Sequence, residues 1–157
     1  MDIGILTEDY KFKFRVCGVI VKNGKVLLEK GNSGGYGFPG GHVAFGESSR
    51  ETVIREVQEE LGIRVEIDSL LCVCENLFEL GGKLNQEVNY YYYVKPIDDL
   101  PNKAFSLTEI DNGVEKTHNY EWVDVFNVLD CGVRPFDVSK LLVKNAKNEI
   151  IIIDERK

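Results

Sequence analysis

The stretch GGHVAFGESSRETVIREVQEELGI, residues 40–63, restricts the fold more than any other part of this chain. It carries five glutamates alongside the aliphatic residues Val53, Ile54, Val57 and Leu61. Ser48 is placed as an N-cap, Glu51 three residues later completes a capping box, and Gly62 suits a left-handed helix end. A helix over 49–61 is predicted. At 100° per residue, Glu56, Glu59 and Glu60 fall within ~100° of arc, and the four aliphatic residues occupy the adjacent arc. The apolar arc needs a neighbouring element to cover it. The acidic arc is unfavourable alone, because Glu56 stands at i, i+3 and i, i+4 from two other carboxylates, each pair costing ~0.2–0.5 kcal/mol on a bare helix.

The flanking sequence supplies strands for the apolar arc. In YKFKFRV, Tyr10, Phe12, Phe14 and Val16 alternate with Lys11, Lys13 and Arg15, a strand pattern. Asn23-Gly24 between aliphatic runs marks a tight hairpin. GNSGGYGFPGG, with six glycines in eleven residues, is read as loop. After the helix, a strand-like run at 64–75, a turn at Gly81-Gly82 and EVNYYYYVKP make a second hairpin. YEWVDV is read as a short strand, DVSKLLVKNA as a helix begun by Asp137 or Ser139, and EIIIID as a late strand, either internal or an edge able to pair with a second copy in a homodimer. Strands on both sides of the helix, with no repeat or linker, predict an α/β (α+β) class and one domain across residues 1–157.

Charge narrows the partners. With 26 acidic and 19 basic residues the net charge is -7, which argues against a general grip on a long nucleic acid or an anionic membrane surface. No apolar run approaches ~18 residues and MDIGILTEDY lacks a signal-peptide pattern, so a cytoplasmic location is expected. Cys17, Cys72, Cys74 and Cys131 have no zinc-type spacing. The first three lie in apolar runs and read as buried reduced thiols.

A hard divalent cation, Mg²⁺ or Mn²⁺, resolves the crowding on the helix, since it takes oxygen ligands and turns carboxylate repulsion into attraction. Lys or Gln would serve a merely solvated face better. Mg²⁺ commonly completes its shell with substrate phosphates, and Gly40 and Gly41 allow close backbone approach. The spacing is itself informative: Gly41, five residues, Glu47, seven residues, Arg55-Glu56-Val57, one residue, Glu59-Glu60, one residue, Gly62-Ile63. It resembles the Nudix box of the Nudix hydrolases at all nine defining positions, with family-like surroundings over 12–145.

The resemblance implies a Nudix fold, a mixed β-sheet between α-helices, and metal-dependent hydrolysis of a nucleoside diphosphate linked to another moiety. It implies that Glu56, Glu59 and Glu60 hold metal with Glu47 assisting, and that Arg55 holds the glutamates. Water must lose a proton in such chemistry. Glu56 or Glu59 is the expected acceptor within the box; Glu87, read as lying just before a strand and reaching over the helix, is the distal candidate. Tyr36, Phe38 and the Tyr90–Tyr93 run are candidates for stacking a base, and Arg15 for a phosphate.

Among family members, a proline or tyrosine about 16 residues past the box accompanies ADP-ribose and dinucleoside polyphosphate substrates. NLFELGGKL has neither, which favours a nucleoside triphosphate or related derivative. A 5′-end RNA hydrolase and a non-catalytic nucleotide-binding regulatory module are the alternatives from other classes.

Overall fold

The computed structural model describes residues 1–157, residue 111 by its backbone alone. In chain order the elements are β1 (Gly4–Leu6), β2 (Tyr10–Val19), β3 (Val21–Lys22), β4 (Lys25–Lys30), β5 (Tyr36–Gly37), β6 (Gly40–His42), α1 (Ser49–Leu61), β7 (Val65–Leu80) and β8 (Lys83–Pro96). Then follow β9 (Phe105–Asp111), β10 (Val114–Asp124), a 3₁₀ turn at Val125–Asn127, α2 (Phe136–Val143) and β11 (Glu149–Asp154).

The first sheet runs β1-β2-β8-β7-β11, with β6 also on β2. It is mixed: β2 is parallel to β8 and β11 to β7, while the other pairings are antiparallel. Alternation along β2 separates two cores. Val16 and Ile20 join Val53, Val57 and Leu61 of α1, whereas Cys17 and Val19 join Val138 and Leu142 of α2. The mixed sheet therefore lies between the two helices, as expected. The three buried α1 residues, each 5% exposed or less, contribute ~1.5–3 kcal/mol apiece by leaving water. A second sheet, β3-β4-β10-β9 with β5 on β4, adds Leu27 and Tyr120 to the α1 core.

Turn chemistry sets the hairpins. Asn23-Gly24 (φ 53° and 74°) joins β3 to β4 and Gly81-Gly82 (φ 61° and 76°) joins β7 to β8, as predicted from residues that tolerate positive φ. Asn112-Gly113 (φ 52° and 77°) makes a third hairpin, β9 to β10, by the same residue chemistry.

Four further differences have local causes. The glycine-rich loop contains β5 and β6, because glycines still pair through their backbone. The strand from 65 continues to Leu80, carried by unbroken pairing with β8 past Cys74. Helix α2 starts at Phe136 with Pro135 in the cap position and no side-chain cap, since proline supplies the φ that a first turn needs; Asp137 and Ser139 lie inside it. On α1, Ile54 is 37% exposed while Thr52 is fully buried, its hydroxyl bonded to Glu47 and to the Ser48 carbonyl.

EIIIID forms β11 at the end of the first sheet, with Ile151 and Ile153 against the α2 core and Ile150 and Ile152 outward. Burial pushes the Cys17 thiol up to about 11 and those of Cys72 and Cys74 to about 12, so all three stay protonated. Among the described residues no helix is long and apolar enough to cross a membrane.

Candidate functional site

The α1 helix is fixed at both ends before it touches anything else. Ser48 Oγ accepts from the Glu51 N–H at 3.2 Å, the Glu51 carboxylate accepts from the Ser48 N–H at 2.8 Å, and Gly62 (φ 68°) donates its N–H to Gln58. Two missing side chains, at Gly18 and Gly41, then let the sheet close on it, and a third, at Gly40, lets β6 lie against β2. A Cβ at Gly18 would stand 2.9 Å from Val57, one at Gly40 would stand 2.0 Å from the Val16 carbonyl oxygen, and one at Gly41 would stand 2.2 Å from the Glu56 carboxyl carbon. Gly40 and Gly41 are thus requirements of close packing, and each has an α1 carboxylate beside it: the Gly40 N–H donates to Glu60 at 3.2 Å.

Arg55 organises the other carboxylates. Its guanidinium donates to Glu47 at 2.9–3.1 Å, to Glu56 at 2.9 Å and to Glu59 at 3.2 Å. The bonds from Arg55, supported by Thr52, hold the Glu47 carboxyl below its usual range. Burial raises the Glu56 pKa despite Arg55. Glu60 is pushed up to about 8, first by burial and then by the charges of Glu29 and Glu56. Glu59 is the most open, its side chain 56% exposed. Among the described residues no three acidic, histidine or cysteine side chains already converge as a metal cage; the carboxylates turn toward Arg55 and Gly40 instead.

The second sheet brings residues that the sequence reading did not single out. Register puts Glu29 opposite Tyr120, and strand alternation places His118 on the same face, toward α1. His118 Nδ1 is bonded to Glu29 and its Nε2 to Glu109 at 2.9 Å. Burial works against a charged ring, but the two carboxylates prevail and raise the His118 pKa. Tyr120 is fully buried with its hydroxyl unpartnered. A cleft of about 520 Å³ shares Tyr120 and is lined also by Lys30, Asn32, Phe105 and Glu121. Nothing in the local sequence marked Glu29 or His118; only the β4–β10–β9 register brings them together.

The remaining candidates are scattered. Arg15 lies on β2 opposite His42 and Asn89, its Nε buried without a partner. The Tyr36 hydroxyl donates to Glu121 at 2.5 Å and its ring packs on the α2 core. Phe38 is 7% exposed and edge-on to Tyr91 at 5.6 Å, so its ring belongs to the core and offers no face to a base. Tyr90 and Tyr92 point to the α1 core and Tyr91 and Tyr93 to the α2 core. Glu87 lies within β8, not before it, paired with Lys13 at 3.4 Å on the sheet face away from α1. It therefore does not reach over the helix.

The donor set suits a hard divalent cation. Glu56, Glu59 and Glu60 supply only oxygens, and Glu60 sits buried beside two other carboxylates, an arrangement that positive charge relieves.

Fold and site together define an α+β protein that gathers carboxylates on one capped helix against a glycine-lined strand. The chain belongs to the Nudix family of hydrolases: the family model described as NUDIX domain matches residues 11–137. It is 42% identical over 62 residues to an ADP-ribose pyrophosphatase of Methanocaldococcus jannaschii, covering 37% of each chain. It is 41% identical over 63 residues to a MutT-like protein of Streptomyces ambofaciens, covering 39% of this chain and 41% of that one. The chain thus spans well under half the length of the curated relatives it matches. A NUDIX hydrolase from Nitrosomonas europaea has the same fold, with a TM-score of 0.61 and 19% identity over 87% of this chain and 91% of that one. Nudix hydrolases generally use divalent metal ions.

Proposed function

We propose that the chain hydrolyses a phosphoanhydride bond in a small nucleotide, a nucleoside diphosphate linked to another moiety, with a nucleoside triphosphate as the favoured case. The supporting observation is the crowding of Glu56 and Glu60 at the glycine-lined strand, with Glu59 tied to Glu56 through Arg55 and Glu60 buried beside like charge. These three would hold Mg²⁺ or Mn²⁺. When bound, the cation would neutralise charge on phosphate oxygens and lower the pKa of a water.

The residues divide the remaining work. Glu47 and Arg55 position: Arg55 ties Glu47, Glu56 and Glu59 into one network, so the carboxylates keep their places. The Gly40 N–H orients Glu60. Glu56, raised by burial, is the better proton acceptor within the box, and Glu59 the second. We place the whole of residues 1–157 in one domain working in the cytoplasm, with β11 as the edge at which a homodimer would pair.

The test is a panel of nucleotides with Mg²⁺ or Mn²⁺, following released phosphate and pyrophosphate. Pyrophosphate release from a triphosphate is expected, and Glu56→Gln should lower kcat by about 10²-fold or more with the fold intact. Binding without release under every metal and pH would instead indicate a nucleotide-binding module. A second reading, hydrolysis of ADP-ribose, is favoured by the name of the archaeal relative. ADP-ribose belongs in the same panel.

A further inference from the structure

Of the four sheet edges, β1 has three residues and β3 two, and so short an edge offers little to an incoming strand. β11 has no such protection. Its six residues, Glu149–Asp154, close the first sheet with no strand beyond them among the described residues. They run beside β7 without a register shift, and no lysine or proline interrupts them. Ile150 and Ile152 are 77% and 68% exposed. Both lie on the α1 side of the sheet, because Ile150 neighbours Val73 and Val73 is opposite Tyr90 of the α1 core. Half-buried Val73 carries the apolar strip inward from the edge. A row of unpaired N–H and C=O groups flanked by isoleucines is a template for another strand.

We infer that two copies of this chain join their first sheets edge to edge, β11 antiparallel to β11, about a two-fold axis through Ile151. Residues directly opposite in an antiparallel pair share a face, so such an axis must pass through a residue and not between two. With the axis at Ile151, Ile150 of one copy meets Ile152 of the other and Glu149 meets Ile153, so no two carboxylates are opposed. At the strand ends Lys147 comes beside Glu155, once on each side of the axis. Asp154 is already matched by Arg156, whose Nε donates to it at 2.8 Å. An axis at Ile152 would instead set Glu149 against Glu155 and Asp154 against Ile150. Moving it further separates the isoleucines. The strand thus complements itself, which favours a second copy over a different protein. β6, with Gly40 and Gly41, is separated from β11 by β2, β8 and β7, so the pairing leaves the carboxylate site open and does not depend on the nucleotide reading.

The experiment is sedimentation velocity on the full chain from about 1 to about 100 µM, with thermal melts over the same range. The unaltered protein should pass from the 17.8 kDa of one chain to twice that mass, and its Tm should rise with concentration by mass action. Ile150→Lys combined with Ile152→Lys opposes like charges across the axis, and should hold the chain monomeric at the highest concentration with a Tm that no longer depends on concentration. Ile150→Lys combined with Ile152→Glu opposes lysine to glutamate twice, and should restore the doubled mass. Both positions are exposed, so each variant should match the Tm of the unaltered protein at the lowest concentration within a few degrees. A monomer at every concentration overturns the proposal and leaves the edge to a strand of another protein. A dimer that survives the double lysine substitution lies elsewhere on the surface, and overturns it as well. A lysine and glutamate variant as monomeric as the double lysine one refutes the axis at Ile151, and the proposal with it.

Discussion

Gly41→Ala isolates the chemistry from the fold. The added methyl would lie 2.2 Å from the Glu56 carboxyl carbon and 2.3 and 2.6 Å from its oxygens, where ordinary contact begins near 3.4 Å. The carboxylate must therefore move by about 1.2 Å. It sits at the end of a flexible side chain, so the fold tolerates the move at the cost of the Arg55 bond to Glu56, on the order of 1 kcal/mol. A displacement of about 1 Å in a catalytic constellation costs ~10²-fold in rate. We expect kcat for the best nucleotide to fall by about that factor while Tm drops by only a few degrees. Gly40→Ala is the contrast, since its methyl meets the Val16 carbonyl oxygen at 2.0 Å, and backbone cannot swing aside. That variant should lose ~1–3 kcal/mol or more of stability. Gly41→Ala keeping more than half of kcat would show that Glu56 need not occupy its observed position, and the reasoning would fail.

Stability without metal should depend on pH through Glu60. Its folded pKa of about 8 lies above the ordinary 4.5, so the contribution is fully present below pH 4.5 and is lost as pH rises toward 8, by ~2–4 kcal/mol. Thermal melts across that range check it, and Mg²⁺ should raise Tm more at pH 8 than at pH 5.5. His118→Ala removes the partner of Glu29 and Glu109; since those carboxylates raise the His118 pKa above its ordinary 6.5, its stabilisation is fully present below that value and is lost as pH rises, so the loss of Tm should be larger at pH 5.5 than at pH 8. Ser48→Ala should cost about 1 kcal/mol by denaturant titration, with kcat changed less than twofold, since it removes a cap and touches no carboxylate of the Arg55 network.

Local rules made the helix legible. Ser48, Glu51 and Gly62 act on groups within four residues of themselves, and Asn23-Gly24 and Gly81-Gly82 close turns by their own φ preferences, so each could be read from its neighbours. The grouping of Glu56, Glu59 and Glu60 followed from helical periodicity alone. Glu29 and His118, 89 positions apart, meet through strand register. Register depends on the whole sheet, and no short pattern encodes it. Phe38 and the tyrosines of β8 show the converse limit, because an aromatic side chain reads alike whether it fills a core or faces a ligand. Glu87 was misplaced for a related reason: a charged residue in a strand is read as a strand boundary, but its Lys13 partner lets it sit in mid-strand.

The alternation along β2 has a consequence for engineering. Val16, Gly18 and Ile20 bear on α1, while Lys13 and Arg15 project from the opposite face. Neighbouring positions of one strand are thereby insulated from each other by the thickness of the sheet. A library that randomises 13, 15, 76, 87 and 89 would change one face of the sheet and leave the side chains packed on the carboxylate helix untouched, so that face of the scaffold should be open to redesign without rebuilding its reactive end.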